Sequence, residues 1–148
     1  MYRVVAGCDG DDVHIGAIFF FQCKRRDVVF DQDKMKQVIL NLVYTAVQYT
    51  NEKTSAITIC LQRGSDGVML MIADNGTGIA PEHLPHLFDR FYRADPSRSR
   101  KYGGSGLGLA ITKSIIDSHN GTIEVKSEIG RGTVFLIRLP APDYSLDE

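Results

Sequence analysis

The sequence predicts an α/β fold: a two-layer sandwich in which a mixed, mostly antiparallel sheet is covered on one face by about three helices. Three observations predict it. Two long segments carry apolar residues at 3.6-residue spacing, as helices packed by one face do. Two pairs of short β-rich runs are each joined by a glycine-bearing turn, as antiparallel hairpins are. Between those pairs lie two glycine clusters separated by an arginine-rich stretch, which has the composition of a loop.

Taken in order, residues 1 to 12 carry little pattern, and Asp9-Gly10-Asp11-Asp12 reads as a turn. Val13 to Phe21 and Asp27 to Phe30 read as strands, with Lys24-Arg25-Arg26 a solvated connection between them. A helix is expected from Asp31 or Asp33, either of which can cap it. Its core stripe is Met35, Val38, Ile39, Leu42, Val43, Ala46 and Val47, and beside that runs a second stripe of Asn41, Thr45, Gln48 and Tyr49. Asn51 to Thr54 ends it. Ala56–Leu61 and Val68–Ala73 are expected as strands around the turn Gly64-Ser65-Asp66-Gly67, with Asp74 closing the second. Pro81–Phe88 reads as a short helix with proline in its first turn, and residues 89 to 104 as a long polar loop. Gly106–His119 is the second long helix, stopped by Asn120-Gly121. Thr122–Ser127 and Thr133–Leu139 close the chain as a hairpin around Gly130-Arg131-Gly132.

The chain of 148 residues suits a single domain over residues 1–142 with a short tail at 143–148. A net charge of −1 gives no global attraction to nucleic acid or to an anionic membrane. The run Ile15–Phe21 is too short to span a bilayer and no cleavable signal pattern precedes it, so a cytoplasmic domain is expected, whether or not a longer parent is membrane-bound. Cys8, Cys23 and Cys60 are odd in number and fit neither a disulfide framework nor a zinc site; reduced buried thiols are expected. His83 and His86 share a helix face without a third metal ligand, so metal binding there is not expected, and His14 and His119, with no visible partner acid or nucleophile, read as structural.

Candidate chemistry concentrates between residues 74 and 109. Asp74 ends an apolar strand and is followed by Gly76 and Gly78, where bare backbone lets a flat ligand approach a carboxylate able to accept from an exocyclic amine. An ordinary Asx turn would account for Asp-Asn-Gly equally well. Gly103-Gly104-Ser105-Gly106-Leu107-Gly108 opens a helix, whose free amides favour phosphate. Glycine there serves helix packing just as readily, and neither a P-loop nor a dinucleotide fingerprint is present. Arg90, Arg93, Arg98, Arg100 and Lys101 gather positive charge between the clusters, with Arg93 the first candidate to meet phosphate. Phe88, Phe91 and Tyr92 fit better as hinges of this loop onto the core than as a stacking platform.

With the helix bearing Asn41, these segments resemble the ATP-binding catalytic domain of bacterial sensor histidine kinases, in the superfamily shared with type II topoisomerase ATPases and related chaperones. Asn41-Leu42-Val43-Tyr44-Thr45-Ala46-Val47-Gln48-Tyr49-Thr50 resembles that family's N box, and Asp74-Asn75-Gly76-Thr77-Gly78-Ile79 its first glycine box. Leu87 to Arg93 resembles the F box, and Gly104-Ser105-Gly106-Leu107-Gly108-Leu109 the second glycine box; the likeness covers residues 27 to 140.

The resemblance implies ATP and Mg2+ as cofactors. It implies that Asp74 holds the adenine amino group, that Tyr49 and Ile79 flank the ring, and that a mobile lid runs from Ala80 to Gly103 with Arg93 near the terminal phosphate. It also implies backbone phosphate contacts over Ser105 to Gly108. The expected nucleotide set is Asn41, Thr45, Gln48, Tyr49, Asp74, Gly76, Gly78, Ile79, Tyr92, Arg93, Ser105, Gly106, Leu107, Gly108, Leu109 and Thr133, with Asn41 and Arg93 in catalysis and Asn41 and Thr45 on the metal.

Two positions depart from the family pattern. Thr45 stands where a second magnesium-binding Asn is usual, and Gln48 where a Lys is usual. Asn41 stands where hydrolysing relatives carry a water-activating Glu, so free ATP hydrolysis should be slow. No acceptor His on a helical hairpin fits this chain. The implied partners are therefore ATP or ADP, a dimerising histidine-phosphotransfer domain of the same or a partner kinase, and, indirectly, a response regulator. Direct nucleic-acid and membrane contacts are not expected. Two functions follow: a histidine kinase catalytic domain, or a nucleotide-binding pseudokinase that acts as a regulatory module.

Overall fold

A computed structural model describes residues 30–50, 56–64, 66–94 and 105–141. The expected N-terminal strands, the helix end at 51 to 54, the arginine loop beyond 94 and the C-terminal tail lie outside these residues.

Helix α1, Gln32–Tyr49, begins where its sequence can satisfy free amides: Asp31 Oδ1 accepts from the Asp33 and Lys34 amides at 3.0 and 3.1 Å. The Lys34 amide chiefly lowers the Asp31 pKa, keeping the cap ionised at the positive end of the helix. Met35, Val38, Leu42 and Ala46 are its buried stripe, at the expected period. Strands β1 (Ile57–Gly64) and β2 (Gly67–Asp74) pair antiparallel, with Gly64 opposite Gly67. The hairpin is therefore tighter, and its strands longer, than the expected four-residue turn. A short helix follows at Pro81–His86, but it is a 3-10 helix; Pro85 lacks the N–H that an α-helical turn requires there.

Helix α2 spans Gly108–Ser118, starting two residues later than expected because Gly106 sits at φ +73°, outside right-handed helix space. Strands β3 (Thr122–Glu128) and β4 (Gly132–Pro140) form the closing hairpin. The sheet order is β1-β2-β4-β3, with every pairing among the described strands antiparallel. Alternation along β4 turns Thr133, Phe135, Ile137 and Leu139 inward, and the last three meet the buried stripes of α1 and α2. Cys60 on β1 is disulfide-bonded, against the expectation of reduced thiols; Cys8 and Cys23 lie outside the described residues.

The helices are joined at their far ends by a side chain. His119, just past α2, accepts the Asp31 amide on Nε2 at 3.0 Å, and its Nδ1 lies 2.8 Å from the Ile115 carbonyl. One ring thus serves the last turn of α2 and the cap of α1, which fits the structural role expected of it.

Candidate functional site

Asp74 is the last residue of β2 and is paired on both sides, with Ile57 of β1 and Thr133 of β4. The residue is 9% exposed, and its Oδ1 accepts the Gly76 amide at 2.8 Å. Burial raises its pKa, while backbone bonds from Gly76 and Thr133 oppose the rise. The result is a carboxylate with one face engaged by its own turn and little water to solvate it.

The turn beyond Asp74 is fixed on three sides, twice by backbone and once by a serine hydroxyl. Thr77 N donates to the Tyr49 carbonyl at 2.9 Å, Gly130 N to the Thr77 carbonyl at 2.9 Å, and Ile79 N to Ser127 Oγ at 2.8 Å. A Cβ on Gly76 would stand 2.3 Å from the Tyr49 carbonyl oxygen. Gly78 sits at φ +70°, and a Cβ there would stand 2.1 Å from the Glu128 oxygen. Both glycines are required by the close approach of neighbouring backbone. Asn75 adds a fourth tie through its Oδ1, which accepts the Ala56 amide at 2.8 Å.

Asn41 reaches the second glycine segment from α1. Its Nδ2 donates to the Gly108 carbonyl at 3.1 Å, across 67 residues of sequence, and lies 3.4 Å from Thr112 Oγ1. Thr45, one turn on, donates its hydroxyl to the Asn41 carbonyl at 2.8 Å. Gly106 accepts the Phe91 amide at 2.9 Å, and Leu107 N donates to Ser105 Oγ at 3.3 Å. Leu109 is turned into the core, so it supports the segment from beneath.

The expected residues therefore gather at one end of the sheet. Asp74, Gly76, Gly78, Ile79 and Thr133 form its closed side, α1 supplies Asn41, Thr45, Gln48 and Tyr49, and Ser105 to Gly108 lie across from Asn41. A cavity of about 230 Å³ opens beside Tyr49, Gly78 and Ile79, with His83 and Ala94 on its rim. Tyr92 is placed differently from that group: its hydroxyl bonds His83 Nδ1 at 2.7 Å and its ring lies 5.4 Å from His86. Arg93 is exposed, next to the end of the described stretch at Ala94.

Three residues that hold the site were not singled out from sequence. Ser127 binds Ile79 N, the Gly132 carbonyl and Thr133 Oγ1, and alternation along β3 would have placed it inward. Thr112 is fully buried beside Asn41, at i+4 from the glycine it helps secure. Asn75 carried a signal only as a turn residue. Magnesium would find two neutral oxygens here, Asn41 Oδ1, whose amide nitrogen is occupied by Gly108, and Thr45 Oγ1, whose proton is committed to a helix carbonyl. That pair fits a hard cation that takes its remaining oxygens from phosphate and water.

The profile of the histidine kinase-, DNA gyrase B-, and HSP90-like ATPase family matches residues 30–143, and the chain belongs to that family. It is 47% identical over 133 residues to the sensor protein SrrB of Staphylococcus aureus, an alignment covering 90% of this chain and 22% of SrrB. The chain thus spans about a fifth of the length of the curated relatives it matches. The catalytic domain of histidine kinase ThkA superposes with a TM-score of 0.70 at 26% identity, covering 95% of this chain and 80% of that one. The mycobacterial sensor histidine kinase MprB gives 0.65 at 28% identity over 76% of each chain. Full-length ShkA, solved with AMPPNP, gives 0.61 at 28% identity over 73% of this chain and 21% of its own. The chain is an ATP-binding domain of the sensor histidine kinase type.

Proposed function

We propose that this member of the family binds ATP between its two glycine segments and delivers the γ-phosphoryl group to a histidine on a separate dimerising domain. The observation that carries this is the reach of Asn41 to the Gly108 carbonyl, which sets the helix of polar ligands against the second glycine segment while Asp74 closes the other end. Asp74 accepts from the adenine amino group, and Tyr49 and Ile79 flank the ring. Backbone amides of the Ser105 to Gly108 segment, at the start of α2, take phosphate. Arg93 meets the terminal phosphate when the lid segment covers the site.

In the transfer, an imidazole nitrogen of the partner histidine forms the new bond to the γ-phosphorus. The bond from phosphorus to the β,γ-bridging oxygen breaks, ADP leaves with the electron pair, and the imidazole proton passes to an acidic neighbour on the partner. The residues of this chain position and neutralise, which is most of what phosphoryl transfer asks of a protein. Asn41 Oδ1 and Thr45 Oγ1 would hold magnesium, which supplies charge neutralisation across the β- and γ-phosphates when bound. A response regulator receives the group afterwards, from the phosphohistidine.

A second reading rests on Thr45, whose hydroxyl is a shorter and weaker oxygen ligand than an amide and is held against α1 by the bond it donates to the Asn41 carbonyl at 2.8 Å. On that reading the domain binds ATP with weak use of magnesium and acts as a regulatory module. Calorimetric titration of ATP with magnesium and with EDTA, on the wild type and Thr45→Asn, separates the two. The kinase reading expects wild-type affinity to rise with magnesium. Affinity indifferent to magnesium, and made dependent by Asn, favours the module. No binding in any condition overturns both.

A further inference from the structure

Three consecutive residues before the end of the described stretch at Ala94 are held in different directions. The Phe91 amide donates to the Gly106 carbonyl at 2.9 Å, the Tyr92 hydroxyl is bonded to His83 Nδ1 at 2.7 Å, and Arg93 follows, exposed. This divergence needs an unusual backbone: Phe91 sits at φ +65°, which residues other than glycine rarely adopt. Its ring is 71% exposed, so burial of the ring does not offset the strain. The strain instead gives the chain its direction, sending Phe91 to the second glycine segment and Tyr92 back to the short 3-10 helix. That helix is a fixed post. Ile79 before it and Leu87 after it are buried, Ile79 N is held by Ser127 Oγ, and the His83 amide donates to the Ala80 carbonyl at 2.9 Å. The Tyr92 amide donates to the Asp89 carbonyl at 3.3 Å, and its ring lies 5.4 Å from that of His86. The bond to His83 reaches furthest along the chain, nine residues, and engages the tyrosine hydroxyl within the protein.

We infer that His83 is a positioning residue for the terminal phosphate: through its bond to Tyr92 it sets the direction in which Arg93 leaves the 3-10 helix, and so the reach of that guanidinium. The inference rests on the proposed contact between Arg93 and the γ-phosphate. Tyr92 then acts from the protein side and not on the nucleotide. Only the triphosphate carries the group that Arg93 meets, so loss of the His83–Tyr92 bond weakens ATP and leaves ADP unchanged. His83 also lines the cavity beside Tyr49 and Ile79, but a direct contact from there to base or sugar would act on ATP and ADP alike.

The test is calorimetric titration of ATP and of ADP on the full chain and on His83→Ala, Tyr92→Phe, the double variant, His83→Gln and Arg93→Ala. His83→Ala and Tyr92→Phe are each expected to lower the preference for ATP over ADP about three- to tenfold, the worth of one hydrogen bond, with ADP affinity held within about twofold. The double variant is expected to lose no more than either single one, because both remove the same bond. His83→Gln, which keeps a group able to bond the hydroxyl, is expected to recover the preference. Tyr92→Phe removes only the hydroxyl and carries the test if His83→Ala does not fold. An unchanged preference in His83→Ala and Tyr92→Phe, with Arg93→Ala lowering it, would overturn the inference. So would equal weakening of ATP and ADP, or losses that add in the double variant. If Arg93→Ala leaves the preference unchanged, the γ-phosphate contact itself is overturned. A wild-type chain that binds neither nucleotide would overturn the nucleotide-binding reading.

Discussion

The two glycine segments are held in different ways. The first, Asp74 to Ile79, is bonded to the end of α1, to β3 and to the β3–β4 turn, and most of these bonds are to backbone. The second, Ser105 to Gly108, is held by the Phe91 amide at Gly106 and by one side chain, Asn41, at Gly108. The first segment is thus part of the sheet, whereas the second depends on contacts that single substitutions can remove. On the proposed function, the base end of the site is then its rigid part and the phosphate end its adjustable part, which suits a domain that grips adenine and releases ADP after transfer.

The largest effect that would test this contrast is expected from Gly78→Ala. The new Cβ meets the Glu128 carbonyl oxygen at 2.1 Å with φ at +70°, so backbone must move. A loss of about 3 kcal/mol or more is expected, read from the urea midpoint. A variant as stable as the wild type would show that the first segment is not rigid.

Asp74→Asn should separate binding from stability. Burial raises the Asp74 pKa above its unfolded value, so the native state holds this proton at pH values where the unfolded chain has released it. The contribution of Asp74 to stability is therefore present below the unfolded pKa of about 3.9 and is lost as pH rises through the folded value. Asn removes that loss. Nucleotide affinity is expected to fall about 10- to 100-fold while the ligand-free midpoint at pH 7 stays level or rises. A pH titration of stability that kept the wild-type slope in this variant would assign the loss to another group.

Asn41→Ala is expected to cost about 1 kcal/mol in the ligand-free chain, the worth of one ordinary hydrogen bond, and to release the second segment. Amide exchange should then rise at the start of α2 and stay unchanged from Asn75 to Ile79. Exchange rising equally at both would make the site a single unit. The smallest effect is expected from Gly108→Ala. Its Cβ would lie 3.6 Å from Asn41 Cγ, an ordinary contact, so stability should change by less than about 1 kcal/mol.

Much of this was legible in the residues. The α1 stripe, a cap at Asp31 or Asp33 and both hairpins follow from local period and turn chemistry, which obey short-range rules, while the four motif segments were legible through their resemblance to a family. What the sequence did not show lies across long separations. Nothing around His119 points to the Asp31 amide 88 residues away, and nothing around Tyr49 marks its carbonyl as the acceptor for Thr77. Gly106 shows the limit from the other side. Its place in a glycine-rich helix start suggested that the helix included it, but only its φ decides that the helix begins at Gly108.

The strand order has a kinetic consequence. β1–β2 and β3–β4 are hairpins that close over a few residues, whereas the β2–β4 seam must bring Asp74 to Thr133 across the whole intervening chain. Loop-closure entropy makes that seam slow to form relative to the hairpins beside it. Asp74 lies at one end of that seam, so on the proposed function the adenine pocket is completed only when this longest-range strand pairing among the described strands has formed. Nucleotide should then recognise only chains that have finished folding. ATP added during refolding is expected to slow unfolding and to leave the folding rate unchanged, as stopped-flow measurements with and without nucleotide would show.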